Sequence, residues 1–169
     1  MAAYKDPENT LLIETSVGPV VVEMRPDLAP NHVAHIKKLA REGAYDGVVF
    51  HRVIDGFMAQ TGDVKFGNSS SKDFAPGRAG TGGSSYPNLK QEFSAEPHTR
   101  GVMSMARAQD PNSANSQFFI VFDDARFLDK QYTVWGKVIE GMDNVDKIKR
   151  GEPVKDPDKM VSVKVAADA

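Results

Sequence analysis

The chain has no cysteine. That excludes a disulfide framework, a thiolate nucleophile and any zinc site built on sulfur. No apolar run approaches the roughly 20 residues that a membrane helix needs. Met1 to Thr10 also lack the apolar segment and small-residue cleavage site of a secretory leader, so cytosolic residence is the expectation. An excess of positive charge is missing too. The 169 residues carry a formal net charge of -2 without a long basic run. That disfavours a nucleic-acid protein held through phosphate contacts.

Signature loops are equally scarce. No Gly-x-Gly-x-x-Gly or Walker-type loop follows a strand, and no Gly-x-Ser-x-Gly elbow is present. Gly80 to Gly83 lacks the lysine and strand–helix setting of a phosphate cradle and reads as a flexible loop. His32 and His35 lie on a helix with no carboxylate–histidine motif beside them, and read as surface residues rather than metal ligands. His51 reads as a strand residue bonded to backbone, and His98 as a turn residue. No metal or cofactor is signalled.

What is present points to β-structure. Thr10 to Val17 and Val20 to Met24 are β-branched runs about a Gly18-Pro19 turn. Pro30 to Arg41 turns helical, with Val33, Ile36, Leu39 and Ala40 on one face and Gly43 as the stop. Val64 to Lys90 is long, polar and rich in glycine and serine. Gly101 to Ala106, Gln117 to Phe122, Tyr132 to Ile139 and Met160 to Val165 read as strands. A helical turn is expected near Ala125, and a short helix from Asp143 to Arg150, capped by Asp143. Met1 to Asn9 reads as a frayed tail on a single domain spanning 1–169. About eight strands and two helices, with few helices between strands, favour a closed antiparallel barrel with helices over its open ends.

The stretch Phe50 to Asp63 stands apart. Asp55-Gly56 is a strong hairpin turn between alternating runs. Alternation places Phe50, Arg52 and Ile54 on one face and His51 and Val53 on the other. Beyond the turn, Phe57, Ala59 and Thr61 oppose Met58, Gln60 and Gly62. Charged side chains are rarely buried without a partner. Arg52 among phenylalanine, methionine and glutamine therefore suggests an apolar wall with one cation and one amide facing a groove.

Phe50-His51-Arg52-Val53-Ile54-x-Gly56-Phe57-Met58-x-Gln60-x-Gly62-Asp63 resembles the signature of the cyclophilins, a class of peptidyl-prolyl cis-trans isomerases. Gly101 to Ala106, Ser116 to Ile120, and Phe127-Leu128-Asp129 leading to Val134 to Val138 and Gly141-Met142 match in the same order. The resemblance runs from about Leu11 to Val165. It implies a closed eight-stranded antiparallel β-barrel capped by two α-helices, and a groove that accelerates rotation about X-Pro bonds. Arg52 matches the catalytic arginine, Gln60 the glutamine that supports it, and Phe57, Met58, Phe119 and Leu128 the pocket for the proline ring. Ala106, Arg107 and Gln117 match positions along the substrate backbone, and Phe127 and Tyr132 two further pocket positions. The implied partners are proline-containing peptides and unfolded protein clients, bound by a monomer without a cofactor, nucleic acid or membrane. A peptide-binding module or chaperone with incidental turnover is the alternative; a lipocalin-type barrel would need a long internal cavity instead.

Several positions depart from the commoner eukaryotic pattern and look bacterial. Phe127 replaces a tryptophan whose indole N–H contributes to cyclosporin binding, so weaker cyclosporin binding is expected. Tyr132 replaces a histidine, and Asp110-Pro111 lengthens a loop. Arg107 replaces an asparagine, and its charge is expected to favour acidic neighbours of the substrate proline.

Overall fold

The β-branched runs form strands in the computed structural model, which describes residues 5–169. Thr10–Thr15 (β1) pairs antiparallel with Gly18–Met24 (β2). The reversal itself is Ser16-Val17. Gly18 and Pro19, expected as the turn, already lie in β2 opposite Thr15 and Glu14. The Thr15 hydroxyl closes the turn by accepting from the Val17 amide at 3.1 Å and donating to the Gly18 carbonyl at 2.6 Å.

Seven more strands follow: Val48–Val49 (β3), Arg52–Ile54 (β4), Met58–Thr61 (β5), Val102–Met105 (β6), Phe118–Val121 (β7), Val134–Glu140 (β8) and Lys159–Val165 (β9). They make one antiparallel sheet in the order β3-β9-β1-β2-β8-β6-β7-β5-β4. The strand beyond the expected eight is the two-residue β3. Only Phe50 and His51 separate β3 from β4, the two ends of that order, so the sheet curls round until its ends meet through the chain. Because the strand starts at Arg52, Phe50 does not share its face as alternation suggested. It packs in the core with Val53.

Pro30–Arg41 (α1) packs against β9, and a single turn, Met142–Val145 (α2), packs against β2. The second helix is shorter than expected. Gly141, at φ +87°, precedes it as N-cap, while Asp143 sits inside the first turn. In α1 the two histidines are buried rather than exposed. The helix has no side-chain cap of its own. Glu92 supplies one from far along the chain, accepting from the amides of Asn31 at 3.2 Å and His32 at 2.8 Å and lying 2.6 Å from His32 Nδ1. Unpaired N–H groups at a helix start draw such an anion. At the chain start, Pro7–Asn9 forms a 3-10 turn and Glu8 accepts from Arg41 at 2.8 Å, so the end of the expected tail is held; residues 1–4 lie outside the described residues.

Strand alternation gives the sheet two apolar faces. Inside the barrel, Tyr45, Phe118 and Trp135 stack edge to face with ring centroids 5.5 and 5.2 Å apart. Ala59, Met103, Met105 and Ile120 join them. On the outer face, Met58, Val102, Phe119, Val121 and Val134 form a second cluster, covered by Ala125 and Leu128 from the segment after β7. Each such side chain, once buried, contributes ~1.5–3 kcal/mol. The second cluster is what allows a pocket on the outside of the wall.

Burial lowers the proton affinity of all four histidines, His32, His35, His51 and His98, and pushes His51 down to about 4. Neutral histidines in the fold and protonated ones in the unfolded chain give stability that is complete above pH ~6.5. It is lost as pH falls through the lowered native values. Melting temperature should therefore drop between pH 7 and 5; an unchanged melting curve would show that the native histidines take up protons over the same pH range as those of the unfolded chain.

Candidate active site

Ladder register sets one row of side chains across four strands. Arg52 lies opposite Gln60, Gln60 opposite Phe119, and Phe119 opposite Ser104. In the next row Ile54 faces Met58 and Met58 faces Val121. Cross-strand neighbours on one face come within contact distance. The groove thus receives a cation, an amide and an aromatic ring side by side.

The polar end of the row continues as a directional chain. Arg52 Nη1 donates to Gln60 Oε1 at 3.2 Å, and Gln60 Nε2 donates to Gln117 Oε1 at 3.0 Å. Gln117 Nε2 donates to the carbonyls of both Gly80 and Gly82 at 2.9 Å. A carboxamide has one donor end and one acceptor end. With its NH₂ committed to two carbonyls, Gln117 must turn its oxygen to Gln60, and Gln60 must turn its own oxygen to Arg52.

The loop that supplies those carbonyls is held by Asp63, which is fully buried. One carboxylate oxygen accepts from the amides of Lys65 and Phe66 at 3.1 and 2.9 Å, the other from Gly80 and Gly82 at 2.8 and 2.9 Å. The expected flexible glycine loop is thus an anchored one. Glycine is required where it is anchored: a Cβ on Gly82 would sit 2.5 Å from Asp63 Oδ1, and Gly80 has φ +103° with His51 3.1 Å from where a Cβ would stand.

These elements enclose a cavity of about 430 Å³ lined by Arg52, Phe57, Met58, Gln60, Ala106, Arg107, Phe119, Leu128 and Tyr132, together with His51, Ala79 to Thr81, Glu152 and Pro153. The first nine were singled out from the sequence. Gln117 lines a neighbouring cavity of about 360 Å³ and touches the first through its bonds to Gln60 and Gly80. Phe127 stands 68% exposed at the rim, its ring centroid 5.5 Å from that of Phe57. Tyr132 packs edge-on to Phe119 at 5.9 Å and carries the Arg107 guanidinium 4.5 Å above its ring.

Behind the apolar wall, His98 stacks on Phe119 at 6.3 Å and bridges Asp129 and Ser104 at 3.1 and 2.9 Å. The Asp129 carboxyl, raised by burial but lowered more by bonds from Arg126 and His98, settles at about 2. His51 is not the backbone-bonded strand residue expected: its Nδ1 meets no partner among the described residues, and it precedes β4. Ala79, Thr81, Glu152 and Pro153, which line the cavity, and Asp63, which anchors its loop, were given no role by the sequence reading. Glu152 Oε2 accepts from Arg52 Nε at 2.6 Å, and the Glu152–Pro153 peptide is cis. The Asp63 side chain is the last of the signature block, yet nothing local announces its partners, which lie up to 19 residues away.

The model of the family described as cyclophilin type peptidyl-prolyl cis-trans isomerase/CLD matches residues 10–166. The chain belongs to that family. Its similarity to a Brucella suis protein named probable peptidyl-prolyl cis-trans isomerase is 62% identity, covering 99% of this chain and 87% of that one. A cyclophilin from Hirschia baltica superposes with a TM-score of 0.83 at 33% identity, over 97% of this chain and 76% of the other. A Cryptosporidium parvum cyclophilin type isomerase, crystallised in the presence of the dipeptide Ala-Pro, gives 0.78 at 25% identity over 92% and 98%. The cyclophilin fold and the bacterial affinity expected from the sequence both stand. No helix among the described residues is long and apolar enough to cross a membrane.

In this cyclophilin, Asp63→Ala should strip the four amides at 65, 66, 80 and 82 of their acceptor. A loss on the order of 3 kcal/mol is expected, with new proteolytic cleavage between residues 64 and 83 in the native state. Undiminished protease resistance would mean that the loop is held by other contacts.

Proposed function

We propose that the chain is an active peptidyl-prolyl cis-trans isomerase acting on proline-containing peptides and unfolded protein clients. The observation that carries this reading is the posture of Arg52. Its Nη1 and Nε are held by Gln60 and Glu152 at the edge of the apolar cavity, while Nη2 donates to nothing among the described residues. One edge of the guanidinium is left for a ligand.

The chemistry requires little more. Amide resonance sets a rotational barrier of ~18–20 kcal/mol. In the twisted amide the nitrogen becomes pyramidal and recovers its lone pair. A fixed guanidinium directed at that nitrogen or at the prolyl carbonyl stabilises the twisted state more than either planar one. Phe57, Met58, Phe119 and Leu128 would grip the ring while the preceding residue turns, with Tyr132 as a further pocket wall, and Ala106, Arg107 and Gln117 would lie along the peptide. A barrier lowered by ~7 kcal/mol corresponds to roughly 10⁵-fold acceleration. No covalent bond breaks. The monomeric state belongs to the same reading.

Arg52→Lys keeps the charge and discards the planar fork. NMR exchange spectroscopy on an X-Pro peptide should show turnover falling ~100-fold while the peptide dissociation constant rises only a few-fold. Equal losses would assign Arg52 to binding alone, and intact binding without any exchange in the native chain would select the module over the enzyme. Phe127, exposed at the rim and without a donor, is the reason to expect weak cyclosporin binding. Phe127→Trp should raise cyclosporin affinity by about tenfold, measured by calorimetry; unaltered affinity would remove residue 127 from that contact.

A further inference from the structure

We infer that Glu152 sets the charge preference of the cavity: it favours peptides carrying a cationic side chain beside the proline and disfavours anionic ones. The inference rests on the isomerase reading above and adds the substrate class.

Glu152 is fixed in place by backbone, not by its own side chain. Gly151 and Val53 exchange hydrogen bonds in both directions at 2.8 Å, and the Val154 amide donates to the His51 carbonyl at 3.0 Å. The chain on either side of Glu152-Pro153 is therefore sewn to the residues on either side of Arg52. The two side chains face each other across that seam.

The carboxylate is half committed. Oε2 takes the Arg52 Nε hydrogen at 2.6 Å, whereas Oε1 receives no hydrogen bond among the described residues. The side chain lines the cavity and stays 57% exposed. Two consequences follow for a bound peptide. The Arg52 charge that would otherwise attract an acidic residue is offset at the cavity edge. The free oxygen, which can only accept, suits an ammonium or guanidinium donor.

The other cation of the cavity does not restore the balance. Arg107 Nη1 donates to the carbonyls of Ala108 and Gln109 at 2.8 and 3.1 Å, and Nη2 to that of Gln131 at 2.8 Å. Its guanidinium is turned onto its own loop and laid over Tyr132. Three of its five N–H hydrogens are thus spent on backbone carbonyls, and Nε is buried without a partner among the described residues. This weakens the pull on acidic neighbours expected from Arg107 in the sequence and leaves the carboxylate opposite to tip the discrimination.

The experiment compares peptides that differ only in lysine or glutamate on one flank of the proline, then on the other, with NMR exchange giving kcat/KM for each. In the native chain at low salt the lysine peptide should be favoured by about threefold on at least one flank, the size an exposed ion pair supports. In Glu152→Gln that ratio should move towards one, and in Glu152→Lys it should invert. Salt at about 0.5 M should compress the native ratio as well. A purely structural role would slow both peptides together and leave their ratio alone. An identical ratio in the native chain and Glu152→Gln, with exchange present in both, overturns the inference and leaves the isomerase reading standing. Absence of exchange for every peptide in the native chain overturns the isomerase reading, and the inference with it.

Discussion

One carboxylate decides which way a row of amides points. Asp63 gathers the amides of Gly80 and Gly82, and so presents their carbonyls to Gln117. From there polarity passes through Gln117 and Gln60 to Arg52 without a free choice at any link. A glutamine alone can swap its oxygen and nitrogen at little cost. Turned the wrong way, Gln60 would set an NH₂ against a guanidinium, and Arg52 would keep only its bond to Glu152. The anchored loop is thus a device for orienting a charge from a distance, and its glycines are there because backbone has to come close to a buried anion.

The rest of the architecture supports that arrangement by having two cores instead of one. The barrel interior, centred on Phe118 and Trp135, gives stability in the ordinary way. The outer face of β5, β6 and β7 carries a second apolar layer that other barrels would leave polar. Covered only in part by Leu128 and its neighbours, that layer is the greasy half of the pocket. The same strands hold both layers, so the pocket floor is as rigid as the barrel wall, while its rim is free to differ.

What could be read in the sequence divides along a physical line. Features fixed by near neighbours were legible: α1 from its apolar spacing and Pro30, the strands from alternation, Arg52 from its oddness among apolar residues. The signature blocks carried the fold and seven of the nine cavity residues, Arg107 and Tyr132 lying just outside them. Features fixed by distant partners were not legible. His32 and His35 looked like surface residues because Glu92, which pulls His32 inward, lies 60 positions away. Glu152 meets Arg52 across 100 positions. The glycine loop looked slack because Asp63 holds it through backbone amides, which any residue possesses and no motif records. Phe127 and Gln117 matched family positions yet stand at the rim and in the adjoining cavity, since matching a position does not fix which way a side chain is turned.

The sole tryptophan of the chain, Trp135, is fully buried inside the barrel against Phe118, on the face of the sheet opposite the pocket. Its indole is shielded from whatever occupies the groove. Intrinsic fluorescence will accordingly report whether the barrel is intact and stay nearly silent on occupancy, so an optical titration of ligands needs a chromophore introduced on the other side of the wall.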